Sequence, residues 1–275
     1  MAAGSSTKPR TSLAFHKYEG TGNDFIVVDA TSEQDLSPER AVRLCDRHFG
    51  VGADGVLVVL PPRTATADAR MRVVNADGSV PEMCGNGARC VALHLAQARG
   101  IRAGTVRLDT DAGVRPCAVE NAGGEGLVTV EMGSVRVLGQ LVIDLDGRTL
   151  EMTTADAGNP HAVLFGDFSR GDMARLGPAL STHPAFPEGT NVGFARDVEG
   201  GIDLTVWERG VGITLACGTG ACAAVAVACT AGRLRASYPV RVRLPGGELE
   251  VTAFADQRVT LRGPARHVFS GMTFA

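Results

Sequence analysis

Met83-Cys84-Gly85-Asn86-Gly87-Ala88 opens one apolar stretch of this sequence, and Ala216-Cys217-Gly218-Thr219-Gly220-Ala221 opens another. Both stretches contain alanines and run to a glycine, Gly100 and Gly232. Upstream, Gly22-Asn23-Asp24-Phe25-Ile26-Val27 is echoed by Gly158-Asn159-Pro160-His161-Ala162-Val163. The asparagine precedes the cysteine by 61 residues in the first case (Asn23 to Cys84) and by 58 in the second (Asn159 to Cys217). Nine residues before each cysteine stands a polar side chain, Asn75 and Glu208. Landmarks repeated in one order indicate two copies of one unit.

The patterning around these landmarks is mostly strand-like. Residues 25–29, 55–60, 70–75, 105–108 and 129–132 read as strands in the first copy, and 141–145, 204–208, 240–244, 249–254 and 259–261 in the second. One helix is expected after each cysteine, from about Gly87 to Arg99 and from about Gly220 to Ala231. Residues 221–231 are apolar on nearly every side, so that helix must be buried. The expected fold is α/β: two pseudo-symmetric domains, each a curled, mostly antiparallel sheet around a central helix. Alternating βαβ units fit less well. Residues 1–12 read as a loose leader, 13–132 as the first half and 133–263 as the second, with the boundary near Gly133.

The repeated Cys-Gly-x-Gly places each thiol where a helix begins. Unpaired N–H groups and the helix dipole there attract negative charge. A substrate carboxylate can be held by those N–H groups, with glycine letting the backbone approach. The same field is expected to lower a thiol pKa from its free value of roughly 8.5 toward neutrality. Inverting a carbon centre removes a proton from one face and returns one to the other. Two opposed cysteines, one thiolate and one thiol, supply that chemistry, and a duplicated unit folded face to face would oppose them. The carbanion would be stabilised by helix-terminal N–H groups in a closed cleft.

Bulk properties narrow the alternatives. With 44% hydrophobic and 21% charged residues, a packed core is feasible. A net charge of −3 gives no reason to expect nucleic acid or an acidic membrane as partner, and no apolar run reaches the ~18–20 residues of a span. Seven cysteines without a secretory signal suggest free thiols in a reducing compartment. No Cys-x-x-Cys occurs, so no metal site is expected. Cys45, Cys117 and Cys229 read as small buried hydrophobes. Lysine is confined to Lys8 and Lys17, which disfavours a pyridoxal-phosphate Schiff base.

From Leu13 onward the chain resembles the diaminopimelate epimerases. The resemblance is carried by Gly20-Thr21-Gly22-Asn23-Asp24-Phe25, Asn75-Ala76-Asp77-Gly78-Ser79 and Met83-Cys84-Gly85-Asn86-Gly87-Ala88-Arg89-Cys90. It continues through Gly158-Asn159-Pro160-His161, Asn191-Val192-Gly193-Phe194 and Glu208-Arg209-Gly210, and on to Ala216–Ala221. It implies two similar α/β domains with a cleft between them, no cofactor, a homodimer, and a final strand, about 264–275, returning to the first domain. It implies a cytoplasmic enzyme converting LL- to meso-diaminopimelate for lysine and peptidoglycan precursors. By motif, Cys84 and Cys217 resemble the catalytic pair, with His161 and Glu208 assisting proton exchange. Asn23, Asn75, Asn159, Asn191, Glu208 and Arg209 resemble the substrate-binding set, and Gly85, Asn86, Gly218 and Thr219 the helix-start contacts. Arg209 would grip the carboxylate of the centre that does not react.

Three neighbours of these residues depart from the family pattern. Ile213 stands where glutamate is general, Trp207 where tyrosine is frequent, and Val80-Pro81 in a stretch that is usually acidic or small. They bear on substrate choice, so a racemase of another amino acid on this scaffold is the alternative. A thiol redox protein would leave the asparagines and Arg209 unexplained, and a non-catalytic binding module would not need two cysteines.

Overall fold

The computed structural model describes residues 12–274. Apart from Ser12, the expected leader lies outside the described residues. The first half holds β1 (Leu13–Gly20), β2 (Asn23–Asp29), α1 (Pro38–Cys45), β3 (Gly55–Leu60), β4 (Ala69–Asn75), α2 (Gly85–Ala98), β5 (Ala103–Thr110), β6 (Gly113–Asn121) and β7 (Glu125–Ser134). The second begins with β8 (Arg136–Leu145), β9 (Arg148–Asp156), β10 (Pro160–Phe165), α3 (Arg170–Ser181), β11 (Asn191–Val198) and β12 (Gly201–Glu208). It ends with β13 (Gly212–Ile213), α4 (Gly218–Thr230), β14 (Val240–Leu244), β15 (Gly247–Ala253) and β16 (Arg258–Thr273).

The duplication holds at the level of strand pairing. β2 runs parallel to β3 across α1, as β10 runs parallel to β11 across α3. β3–β4 and β11–β12 are antiparallel, and β4–β5 and β12–β14 parallel, each across its buried helix. Register agrees to the residue: Phe25 faces Gly55 while His161 faces Asn191. Both central helices begin about two residues earlier than expected, because the cysteine itself is the N-cap and the two glycines form the first turn.

α2 is buried from Gly85 to Ala96, and α4 from Gly220 to Ala228. Each is the axis of its own apolar core, with inward-facing Val and Leu from the strands around it. α1 and α3 lie on the outside of the sheet over separate smaller cores. Neither outer helix was expected. Each has a serine N-cap, Ser37 and Ser169, but α1 spans only eight residues and α3 carries Pro178 in its interior.

β16 joins the halves. Its first part pairs with β15, from Val259 opposite Ala253 to Arg262 opposite Glu250. It pairs with β7 from Arg258 to Arg266, and with β1 from Arg266 to Thr273. The strands of the first half thereby close around α2. β7 continues to Ser134, past the expected boundary, with Gly133 at φ 89° where the pairing with β16 shifts register. No described helix is long and apolar enough to cross a membrane.

Candidate active site

Cys84 and Cys217 occupy equivalent positions. Both are extended (φ −136°, ψ 114° and φ −119°, ψ 107°), and each thiol accepts the N–H of the third residue on, Gly87 or Gly220, at 3.4 Å. A Cβ on Gly87 would lie 2.8 Å from Leu57 Cδ2, and one on Gly220 2.9 Å from Val206 Cγ2, so a larger residue at either position must displace a packed core side chain. The two helix starts meet: Asn86 Nδ2 donates to the Ala216 carbonyl at 3.1 Å. A Cβ on Gly218 would stand 3.8 Å from Gly85 Cα. Gly85, Asn86, Gly218 and Thr219 thus surround the paired thiols, with Thr219 Oγ1 3.6 Å from Cys217 Sγ.

The expected lowering of the thiol pKa values is not what this environment gives. Burial raises both, Cys217 strongly, and the nearby Glu208 carboxyl adds to the rise. The helix-start N–H bonds act in the opposite direction but are the smaller effect, because desolvating a thiolate costs more than one such bond returns. Charge on Cys84 also opposes ionisation of Cys217. Ionising one thiol therefore makes ionising the other harder. Burial raises the Glu208 pKa as well, opposed by the Thr214 hydroxyl, which donates at 2.5 Å, and by the Cys217 thiol.

His161 is 1% exposed, and burial lowers its pKa to about 4. Its Nε2 lies 2.9 Å from Asn159 Oδ1, an acceptor, so the ring proton belongs on Nε2. Nδ1 is then a bare lone pair, and among the described residues it has no hydrogen-bond partner. The ring is thus neutral, with a buried lone pair on Nδ1 that burial makes harder to protonate.

The asparagines come from both halves of the chain. Asn23 sits beside the helix starts, accepting from Asn86 Nδ2 at 3.2 Å and donating to Asp54 at 2.6 Å. Asn75, at the end of β4, donates to Ser79 at 2.9 Å. On the other side Asn191 donates to the Pro160 carbonyl at 3.1 Å and accepts the Arg209 N–H at 2.9 Å, which binds the Asn159–His161 turn to Arg209. The exposed Arg209 guanidinium donates to the Glu188 carbonyl. Of the departures, the Trp207 ring fills the space beside Gly177 of α3, as expected of a packing residue, and Ile213 pairs with it from β13. Pro81 stands in the loop before Cys84.

Two residues outside the expected set hold this arrangement. Arg89 is fully buried, donating to Thr21 Oγ1 and Asn86 Oδ1 at 2.9 Å each and to the Pro264 carbonyl at 3.1 Å. It steadies the β1–β2 turn, where Thr21 adopts φ 57°, costly for a β-branched residue. Asp54 anchors both Asn23 and the Asp24 N–H. A charge directly after the repeated helix-opening motif was the visible signal for Arg89; Asp54 carried none.

Two halves of one architecture, each with a cysteine capping its central helix, define a duplicated α/β scaffold. A hydroxyproline epimerase from Agrobacterium vitis superposes with a TM-score of 0.74 at 18% identity, covering 95% of this chain and 92% of that one. A phenazine biosynthesis protein from Bacillus anthracis gives 0.73 at 16%, covering 96% and 99%. At these identities the likeness is one of fold. The sequence is closer to a narrower group. The family model described as diaminopimelate epimerase matches residues 15–138 and 153–268. The diaminopimelate epimerase of a Synechocystis strain is 44% identical over 94% of this chain and 98% of its own. That of a Synechococcus strain is 46% identical over 95% and 98%. The chain belongs to the diaminopimelate epimerase family.

Proposed function

We propose that the protein interconverts LL- and meso-diaminopimelate by proton exchange at one α-carbon, with Cys84 and Cys217 as the two acid–base groups. The observation carrying this reading is the pair of equivalent thiol caps on helix starts that meet at Asn86 and Ala216. A carboxylate at those starts would receive N–H groups from both helices. The thiolate on one face takes the α-proton, the C–H electron pair moves into the carboxylate as an enediolate-like species, and the thiol on the other face returns a proton to carbon. His161 Nδ1 and Glu208 are the assisting acceptors. Arg209, with Asn75, Asn159 and Asn191, holds the distal carboxylate, and Asn23, Gly85, Asn86, Gly218 and Thr219 the reacting end.

Lys17 supports a cofactor-independent reaction: it is 7% exposed and committed to Asp24 and the Gly52 carbonyl, unsuited to a Schiff base. The substrate is suggested by relatives that bear the name diaminopimelate epimerase. We further propose working halves of residues 13–132 with 264–275 and of 133–263, a homodimer, and a cytoplasmic place in lysine and peptidoglycan precursor synthesis.

The test is α-deuterium incorporation in D2O across a panel of amino acids. LL-diaminopimelate should exchange far faster than lysine, alanine, histidine or glutamate. Arg209→Met should lose a hundredfold or more in kcat/KM on it, on the order of 3 kcal/mol. A mono-carboxylate amino acid exchanging fastest, with Arg209→Met sparing it, would transfer the assignment to another racemase on this scaffold.

A further inference from the structure

Ten residues along α2 from Cys84, about 15 Å at 1.5 Å per residue, the sheet around that helix gathers side chains that the reaction does not use. His16 comes from β1, Asp29 is the last residue of β2, and His94 lies on α2. Each offers one ligand atom, and these atoms all lie within 4.8 Å of one another. The three residues are far apart in sequence, so no ligand spacing announced them.

The hydrogen bonds around the two rings decide what stands between them. Tyr18 donates its hydroxyl proton to Gln97 Oε1 at 2.7 Å, and the same oxygen lies 3.3 Å from His94 Nδ1. With that proton spent, the Tyr18 oxygen accepts, and the ring proton of His94 is on Nδ1. His94 Nε2 then presents a lone pair to both Asp29 carboxylate oxygens, each 3.2 Å away. In this tautomer the two acceptors face each other at a distance that suits a cation between them. A proton would serve for that pair alone. His16 is also brought in, its ring centroid 4.9 Å from that of His94 and its Nδ1 held by Ser270 Oγ at 2.7 Å. Its remaining Nε2 gains nothing from a protonated neighbour.

We propose that His16, Asp29 and His94 bind one divalent transition-metal ion with zinc-like preferences, tying β1 and β2 to α2. Two imidazoles and a carboxylate are a ligand set for such an ion, and a hydroxyl on the second nitrogen of each ring is the outer support that metal-binding histidines commonly have. With metal–ligand bonds of roughly 2.0–2.2 Å, the edge of a tetrahedral site is about 3.4 Å. The His94–Asp29 edge, at 3.2 Å, is close to that length, and the His16 ligand atom, within 4.8 Å of both, moves inward to close the others. The Asp29 side chain is 60% exposed, which gives an ion its way in and leaves room for water as fourth ligand.

Thiolates are zinc ligands in general, so the test uses tag-free protein carrying Cys84→Ala and Cys217→Ala. After equilibrium dialysis against micromolar Zn2+, one equivalent per chain should remain bound, and the Tm should rise on zinc addition. His16→Ala and Asp29→Asn, checked for folding by circular dichroism, should each lower retention at least tenfold and remove the Tm shift. Co2+ in the unsubstituted site should give visible ligand-field bands without thiolate charge transfer. No retained zinc, or equal retention by His16→Ala and Asp29→Asn, would overturn the proposal and leave His94 and Asp29 as a proton-bridged ion pair.

Discussion

Ionisation of Cys217 is opposed by burial first and the Glu208 charge second. Removing that charge should make its thiolate easier to form. In a Cys84→Ala background, Glu208→Gln is expected to shift the pH midpoint of Cys217 alkylation downward, followed by peptide mass. An unchanged or higher midpoint would mean that Glu208 does not act on this thiol. His161 sets a second pH dependence. Its folded pKa of about 4 lies below the ordinary 6.5, so between these values the unfolded chain binds the extra proton. Stability from keeping this ring neutral is complete above pH 6.5 and is lost as the pH falls toward 4, up to about 3 kcal/mol. His161→Asn should flatten that part of the pH–stability curve in urea unfolding, and a curve of unaltered slope would remove His161 as its source. Repeated motifs made most of the candidate site residues legible from the sequence. The direction of the thiol shifts was not, because a helix start is visible in sequence whereas the depth at which it is buried is not.

At the level of elements, the thiol caps depend on glycines whose need is steric. A methyl on Gly220 would meet Val206 Cγ2 at 2.9 Å and Cys217 Sγ at 3.2 Å inside a packed core. Gly220→Ala should therefore cost about 1–3 kcal/mol of stability, against the usual helix gain of alanine over glycine, and should slow turnover by displacing the thiol. Urea midpoints at or above the parent value, with full activity, would show that the entry is looser than the geometry implies. Helices α2 and α4 were legible because each opens with a repeated motif, and α4 then runs through apolar residues with no polar face. β1, β6, β9, β10 and β11 were not, for local reasons. β6 contains Pro116, β10 begins with Pro160, and β1 buries Lys17 and Tyr18 on adjacent positions, which breaks the alternation that marks a strand.

Across the whole molecule, the duplication suggests two independent units, while the chain path argues for one cooperative structure. β16 supplies pairing to β15 in one half and to β7 and β1 in the other, so neither sheet is complete without it. Arg89 adds a buried tie, joining α2 to the β1–β2 turn and to Pro264 on β16, and Asn86 binds the start of α2 to the residue before Cys217. Unfolding the second half would strip β16 from β15 and break the Asn86–Ala216 bond. Asn86 Nδ2 would then lose an acceptor beside the fully buried Arg89, a cost of about 1–3 kcal/mol that falls on the first half. The halves should unfold together. Trp207, the single tryptophan, reports on the second half alone, whereas far-ultraviolet circular dichroism reports on both. In urea the two signals are expected to give one midpoint and one slope. A Trp207 transition separated from the dichroism transition would mean that the repeated units remain thermodynamically independent and that β16 works only as a linker.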